Sequence, residues 1–325
     1  MILVLVETNA DGVTLFSREA LTFARGLAQG RGDSVEAVVV GEVTDGVRAQ
    51  LSEQGIAVAH HPQDERLAAY SGAAWSAAVA GVLTSASGDL LVASGTPRGG
   101  EIAAHVAARL GVVMAANVLR ADGGDPLVVT RQVVGGAALE EMQLGDTPAV
   151  ITVAGHACDP EPAASQQTTE VVPFTPALSD RDLLTRVVRV EEKTADDTSA
   201  LTAARVVVGA GRGAGGPDGF KGVLELAELL GGALGVSRVV TGLGWRPHSE
   251  QVGQTGSRIS PDLYIPCGIS GAIQHWAGCQ SAKTILAINT DPEAPMVTRA
   301  HYAVIGDLHE IVPAINEELH KRLGR

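Results

Sequence analysis

The sequence predicts an α/β protein of two domains, each a parallel sheet with helices on both faces. Three observations carry this reading. Short β-branched apolar runs alternate with longer stretches whose apolar residues recur at helical spacing. The alternation breaks once, into a charged segment without a buried stripe, and then resumes. A chain of 325 residues also exceeds the usual reach of a single core.

Taken in order, Ile2–Val6 and residues 35–40 read as strands, and 17–29 between them carries helical apolar spacing. This is a β-α-β start. A strand at 56–59, a long alanine-rich helix over 67–83, a strand at 89–93, a loop over 94–100 and a helix over 101–110 follow, then strands near 127–134 and 150–153. Strands linked through helices return in parallel, which puts helices on both faces. The charged segment RVVRVEEKTADDTSALTAA marks the boundary, dividing the chain into 1–188 and 189–325. The second unit then offers a strand at 205–208, a helix over 220–230, a strand at 262–265, a helix over 270–277, strands at 284–288 and 302–305, and a last helix over 310–322.

Composition excludes several classes. A formal net charge of -13 and the lack of any Lys/Arg-rich stretch oppose nucleic-acid binding. The longest apolar runs are of strand length and the N-terminus turns acidic and polar after six residues, so neither a signal peptide nor membrane insertion is expected. Cys158, Cys267 and Cys279 fit neither a disulfide framework nor metal-ligand spacing, which makes a reducing cytoplasm the expected compartment. Metal sites, a P-loop, GxSxG and HExxH are all missing from the pattern.

The most informative stretch is LYIPCGISGAIQHWAGCQSAKTILAINTDPEAP. A strand ending at Pro266-Cys267-Gly268 runs into a helix opening at Ile269-Ser270-Gly271, and a glycine there lets a ligand approach the backbone. The free N–H groups of a first helical turn suit a phosphate, so the outline is that of a nucleotide site. The run Gly209-Ala210-Gly211-Arg212-Gly213-Ala214-Gly215-Gly216 satisfies dinucleotide spacings in several registers. It lacks the acidic residue such a site needs after the next strand, and a flexible loop near a nucleotide held elsewhere is the competing reading. Gln251-Val252-Gly253-Gln254-Thr255-Gly256 is either a cluster of donors and acceptors around a flat polar ligand or a solvated turn. His275, alone on its helix, is either a structural hydrogen-bonding residue or a ligand group. His60-His61 makes a poor site because adjacent strand residues point to opposite faces.

Taken together, Ser237-Arg238, the Gln251–Gly256 block, Leu263-Tyr264-Ile265, the block from Gly268 to His275, Ala287-Ile288-Asn289 and Asp291–Pro295 resemble the alpha subunit of electron-transfer flavoproteins. The resemblance implies two Rossmann-like domains: an N-terminal nucleotide-hydrolase-like domain over 1–188 and a C-terminal FAD-binding domain over 189–325. It implies an electron carrier, not an enzyme, with a beta subunit as partner, flavin dehydrogenases such as those of fatty acid beta-oxidation as donors, and a quinone oxidoreductase or similar acceptor.

The same resemblance assigns roles. Arg238 would lie beside the flavin ring, where a fixed positive charge favours its reduced, anionic forms. Thr255 would offer its hydroxyl near N5, and His275 would approach the C2 carbonyl. Gln254, Gly256 and Ser270 would line the path to the pyrophosphate, Asn289 and Asp307 would lie toward the adenosine, and Ser237, Gln251, Gly253, Gly268, Ile269, Gly271, Ala272, Gln274 and Thr290 would complete the cofactor-binding set. This chain departs from the family pattern at Gly242, Ser257 and Thr290, where an acidic residue and two lysines are usual, and at Cys267, usually aliphatic. The lost cations imply a weaker electrostatic grip on FAD and a divergent paralogue with a specialised partner. An NADH-oxidising, electron-bifurcating relative and a nucleotide-binding module without redox traffic are the alternatives.

Overall fold

Runs of Val, Leu and Ile occupy the strand centres of both units. The computed structural model describes residues 1–136, 138–188 and 199–324. The 188/189 boundary abuts residues 189–198, which lie outside the described residues. In the first unit β1 (Ile2–Val6) leads through a small hairpin, β2 (Thr8–Asn9) with β3 (Gly12–Val13), into α1 (Leu15–Arg31) and β4 (Val35–Val39). Then come α2 (Asp45–Glu53), β5 (Val58–Pro62), α3 (Gly72–Ser85), β6 (Leu90–Ser94), α4 (Pro97–Leu110), β7 (Met114–Asp122), β8 (Leu127–Val133), β9 (Ala138–Leu144), β10 (Ala149–Val153) and β11 (Glu170–Phe174).

The main sheet runs β11-β5-β4-β1-β6-β10-β7-β8-β9. It is parallel from β11 to β7, while β7, β8 and β9 form an antiparallel meander at one edge. Central strands β1, β6 and β10 are buried along their whole length, as continuous apolar runs covered on both faces should be. Alternation divides them between two cores. Ile2, Val4 and Val6 pack with Ala20, Leu21 and Ala24 of α1, whereas Leu3 and Leu5 pack with Val79 of α3 and Ile102 and Val106 of α4.

Several boundaries differ from the sequence reading, each for a local reason. The helix expected over 67–83 begins at Gly72, because Ser71 caps it by accepting from the Ala74 N–H; Glu65–Leu67 form a separate turn. The helix expected over 101–110 begins at Pro97, within the expected loop, because Thr96 accepts from Gly99 N–H and Pro97 needs no acceptor at the first helical position. The strand expected at 56–59 lies at Val58–Pro62. Helix α2 and strands β7, β9 and β11 were not anticipated. Only Val47 and Leu51 of α2 are buried and β9 presents mostly exposed residues, so their apolar signal is sparse, while β11 is partly buried and interrupted by Pro173.

The second unit contains α5 (Ser199–Ala203), β12 (Val206–Ala210), α6 (Lys221–Leu229), β13 (Ala233–Val236), α7 (Arg238–Gly242), β14 (Leu263–Cys267), α8 (Ile273–Cys279), β15 (Thr284–Asn289), α9 (Pro295–Arg299), β16 (Tyr302–Ile305) and α10 (Leu308–Leu323). Its sheet, β13-β12-β14-β15-β16, is parallel throughout. Val208, Ala210, Ile265 and Cys267 face a core shared with α6 and α10, and Val207 and Tyr264 face the opposite one. The helix expected over 270–277 opens three residues later, at Ile273, leaving 269–272 as irregular backbone. Strand β13 was also unanticipated; its Leu-Gly centre carries little β signal.

Thr96 holds α4 twice, as its cap and by donating to Glu7 Oε1 at 2.6 Å. Thr96→Ala should therefore lower the stability of the first unit by about 1–2 kcal/mol, read by urea denaturation.

Candidate functional site

Parallel strands deliver the loops that follow them to one edge of a sheet, and ligand clefts gather there. In the second unit residues after all five strands meet at that edge. Arg212 and Gly213 follow β12, Ser237 and Arg238 follow β13, Gly268 to Ala272 follow β14, Thr290 and Asp291 follow β15, and Gly306 to His309 follow β16. With Gln251 to Thr255, Gln274 and His275 they line a cleft of about 860 Å³. That volume lies at the upper end of the range for small-molecule sites.

Of the residues singled out from sequence, Ser237, Arg238, Gln251, Gly253, Gln254, Thr255, Gly268, Ile269, Ser270, Gly271, Ala272, Gln274, His275, Asn289, Thr290 and Asp307 all line this cleft. Gly256 does not. It turns the loop instead: its N–H donates to the Gly253 carbonyl at 3.1 Å, and a Cβ there would fall 2.2 Å from the Gln251 oxygen. Sequence reasoning missed Arg212, Gly213, Leu308 and His309 as lining residues. The arginine was visible inside the glycine run. The pair at 308–309 is set by where α10 starts, which depends on Asp307 accepting from His309 N–H at 2.9 Å.

The glycine run does not act as a dinucleotide fingerprint leading straight into a helix. After β12 it forms two tight turns, Arg212–Ala214 and Pro217–Phe220, before α6 begins. Its glycines serve backbone packing: Gly213 N–H donates to the Gly268 carbonyl at 3.1 Å, and a Cβ on Gly213 would lie 2.7 Å from Gly268 Cα. Gly268 itself has φ +61, which disfavours any side chain.

Irregular backbone after Gly268 has a chemical consequence. The N–H groups of Ile269, Ser270, Gly271 and Ala272 donate to nothing among the described residues. Asn289 fixes this segment by donating from Nδ2 to the Ile269 carbonyl at 3.0 Å, and the Ser270 carbonyl accepts from Met296 N–H. Consecutive free amides held in place form an anion-binding concavity. The expected phosphate donors are thus present, on this loop and not in the first turn of a helix.

Charge and polarity match. Arg212 and Arg238 are exposed on the cleft, and neither forms an ion pair among the described residues. On the loop at 251–256, the buried Gln251 bridges Thr241 and Thr255: Thr241 Oγ1 lies 2.6 Å from Oε1, and Nε2 donates to Thr255 Oγ1 at 3.1 Å. Thr255 then keeps its own proton for a ligand.

His275 is only 6% exposed although it lines the cleft. Its Nε2 lies 2.7 Å from the hydroxyl of buried Tyr264, while Nδ1 has no hydrogen bond of normal geometry. That atom is wholly enclosed, with the Val252 backbone as its neighbour. Burial pushes its pKa down to about 4, opposed by the Val252 carbonyl beside the ring. The imidazole is neutral at neutral pH. Among the described residues no group of three His, Cys, Asp or Glu side chains could hold a metal ion, and no helix is long and apolar enough to cross a membrane.

This depressed value makes stability pH-dependent. Unfolded His275 titrates near 6.5 and folded His275 near 4, so the unfolded chain binds more protons between them. The contribution is full above about pH 6.5 and declines on acidification, by about 2 kcal/mol at pH ~5. The second unit of His275→Gln should lack this part of the acid sensitivity, measured as the difference in denaturation midpoints between the two proteins across that pH window.

Comparison with known proteins agrees with the geometry. Residues 2–179 match the family model described as "Electron transfer flavoprotein domain", and residues 200–280 match "Electron transfer flavoprotein FAD-binding domain". The electron transfer flavoprotein subunit alpha of Mycobacterium tuberculosis is 39% identical over 99% of this chain and 99% of its own length. That of Bacillus subtilis is 33% identical over 98% and 96%, and the protein FixB of Bradyrhizobium diazoefficiens is 33% identical over 98% and 88%. The chain belongs to the electron transfer flavoprotein alpha-subunit family, a family of electron carriers, and the match to its FAD-binding domain falls within the unit that contains the cleft.

Proposed function

We propose that this chain is the alpha half of a heterodimeric electron carrier that holds one FAD in the cleft and works in the cytoplasm with a beta subunit. In this reading the domains run 1–188 and 189–325, the second binding the cofactor. Its donors are flavin dehydrogenases, such as the acyl-CoA dehydrogenases of fatty acid beta-oxidation, and its acceptor is a quinone oxidoreductase or a similar protein. The observation that carries the reading is the convergence of four unengaged amides, at Ile269 to Ala272, with two unpaired arginines on one cleft.

When bound, FAD supplies a ring that takes up and gives back electrons. The chain's residues do the rest by position and charge. Amides 269–272 and the Arg212 guanidinium hold the pyrophosphate, Arg212 supplying positive charge where Ser257 and Thr290 bring none. Arg238 places a permanent cation beside the ring and so raises the reduction potential. Thr255, oriented by Gln251, donates a hydrogen bond to the ring, and His275 approaches its C2 carbonyl without carrying charge. Asn289, Thr290 and Asp307 close the adenosine end.

Co-expression with a beta-type chain should give a yellow complex with one FAD per heterodimer; a colourless complex that cannot be loaded with FAD overturns the proposal. In the loaded complex Arg238→Ala should lower the flavin potential by roughly 50–150 mV, the effect of removing a unit charge near the ring at an effective dielectric of about 20, with folding unchanged. An unaltered potential would remove Arg238 from the ring's side. Bleaching of the complex by NADH would move the assignment to an electron-bifurcating relative.

A further inference from the structure

Tyr264 is fully buried, and its hydroxyl meets His275 Nε2 at 2.7 Å, with the two rings stacked at a centroid distance of 6.2 Å. No other hydrogen bond of this hydroxyl is formed among the described residues. A buried phenol has one proton to donate, and here the acceptor is a ring nitrogen. If Nε2 instead carried the proton, the hydroxyl would accept it and its own hydrogen would be left buried without a partner. The contact therefore selects the tautomer with the proton on Nδ1, the ring atom that lacks a hydrogen bond of its own. The Val252 carbonyl beside the ring favours a ring proton in the same sense.

We propose that Tyr264 is a positioning residue: by donating its hydroxyl proton to Nε2 it fixes His275 as a neutral imidazole with its proton on Nδ1, enclosed in the wall of the cleft. The place for the hydroxyl is itself built. A Cβ on Gly209, in the neighbouring strand, would stand 2.5 Å from the Tyr264 oxygen and 2.8 Å from its ring, so the missing side chain at 209 is what lets the phenol reach His275. Burial also keeps the phenol protonated, well above its ordinary pKa, with desolvation the main cause. The line Gly209, Tyr264, His275 thus runs from the sheet interior to the wall of the cleft and sets the ring against the Val252 carbonyl of the loop that lines it. The ligand's identity as FAD rests on the functional reading above; the tautomer does not.

The test is nitrogen NMR on the full chain labelled with ¹⁵N-histidine, without added flavin at neutral pH, with the His275 signals assigned through His275→Gln. The expected result is a pyrrole-type Nδ1 and a pyridine-type Nε2 in the unmodified chain. In Tyr264→Phe, which keeps the ring and removes only the hydroxyl, the signals should move toward the opposite tautomer or an average of the two. Gly209→Ala should shift them in the same direction. A protonated Nε2 in the unmodified chain, or a tautomer unchanged in a folded Tyr264→Phe, overturns the proposal. Should Tyr264→Phe fail to fold, the spectrum of the unmodified chain still decides. Failure of the unmodified chain with its beta partner to take up FAD would refute the functional reading instead, and leaves the tautomer result standing.

Discussion

Two backbones in contact, Gly213 against Gly268, govern the second unit. One glycine follows β12 and the other follows β14, and their loops interlock because neither carries a side chain. With the hydrogen bond between them, Gly268 takes its left-handed conformation and the chain leaves β14 too sharply to enter a helix directly. The four residues that follow are therefore neither strand nor helix. Their amides point away from any internal acceptor, and the cleft owes its anion-binding character to that interruption.

How far the sequence disclosed this depended on what each residue was asked to report. The fully buried strand Ile2–Val6 and the exposed strand Tyr302–Ile305 were both legible to the residue, one from continuous apolar character and the other from a short apolar run following a loop. The cleft residues were legible as a group through a family resemblance, and all but Gly256 meet in one place. What stayed hidden was set by contacts distant in sequence. The glycines at 209–216 look like a phosphate loop until the packing of Gly213 on Gly268 is seen. Helix α8 was placed three residues early because a Gly-Ile-Ser-Gly stretch announces a turn without saying where it ends. The start of α4 was misjudged because the Thr96-Pro97 signal for a helix entry was read as loop composition.

Electrostatically, the cleft presents two cations that no carboxylate among the described residues holds. The protein carries a net charge of -13, and many of its arginines are tied to carboxylates, as in Arg31 with Asp33 and Asp89 or Arg246 with Glu250. Arg212 and Arg238 are not so tied among the described residues. An unpaired guanidinium on an acidic protein is available to an anion without first breaking an internal bond. His275 completes the contrast, since burial keeps this ring in the cleft wall uncharged near neutrality.

At the far side of the second sheet β16 pairs only with β15 among the described residues, and Tyr302, Val304 and Ile305 are exposed. A bare border of this sort is a template for strand addition, because its unmatched amides and carbonyls recruit any extended peptide that reaches them. The chain prepared on its own should accordingly drift into higher oligomers as concentration rises, and shielding of that border would decide how long the isolated polypeptide keeps in solution.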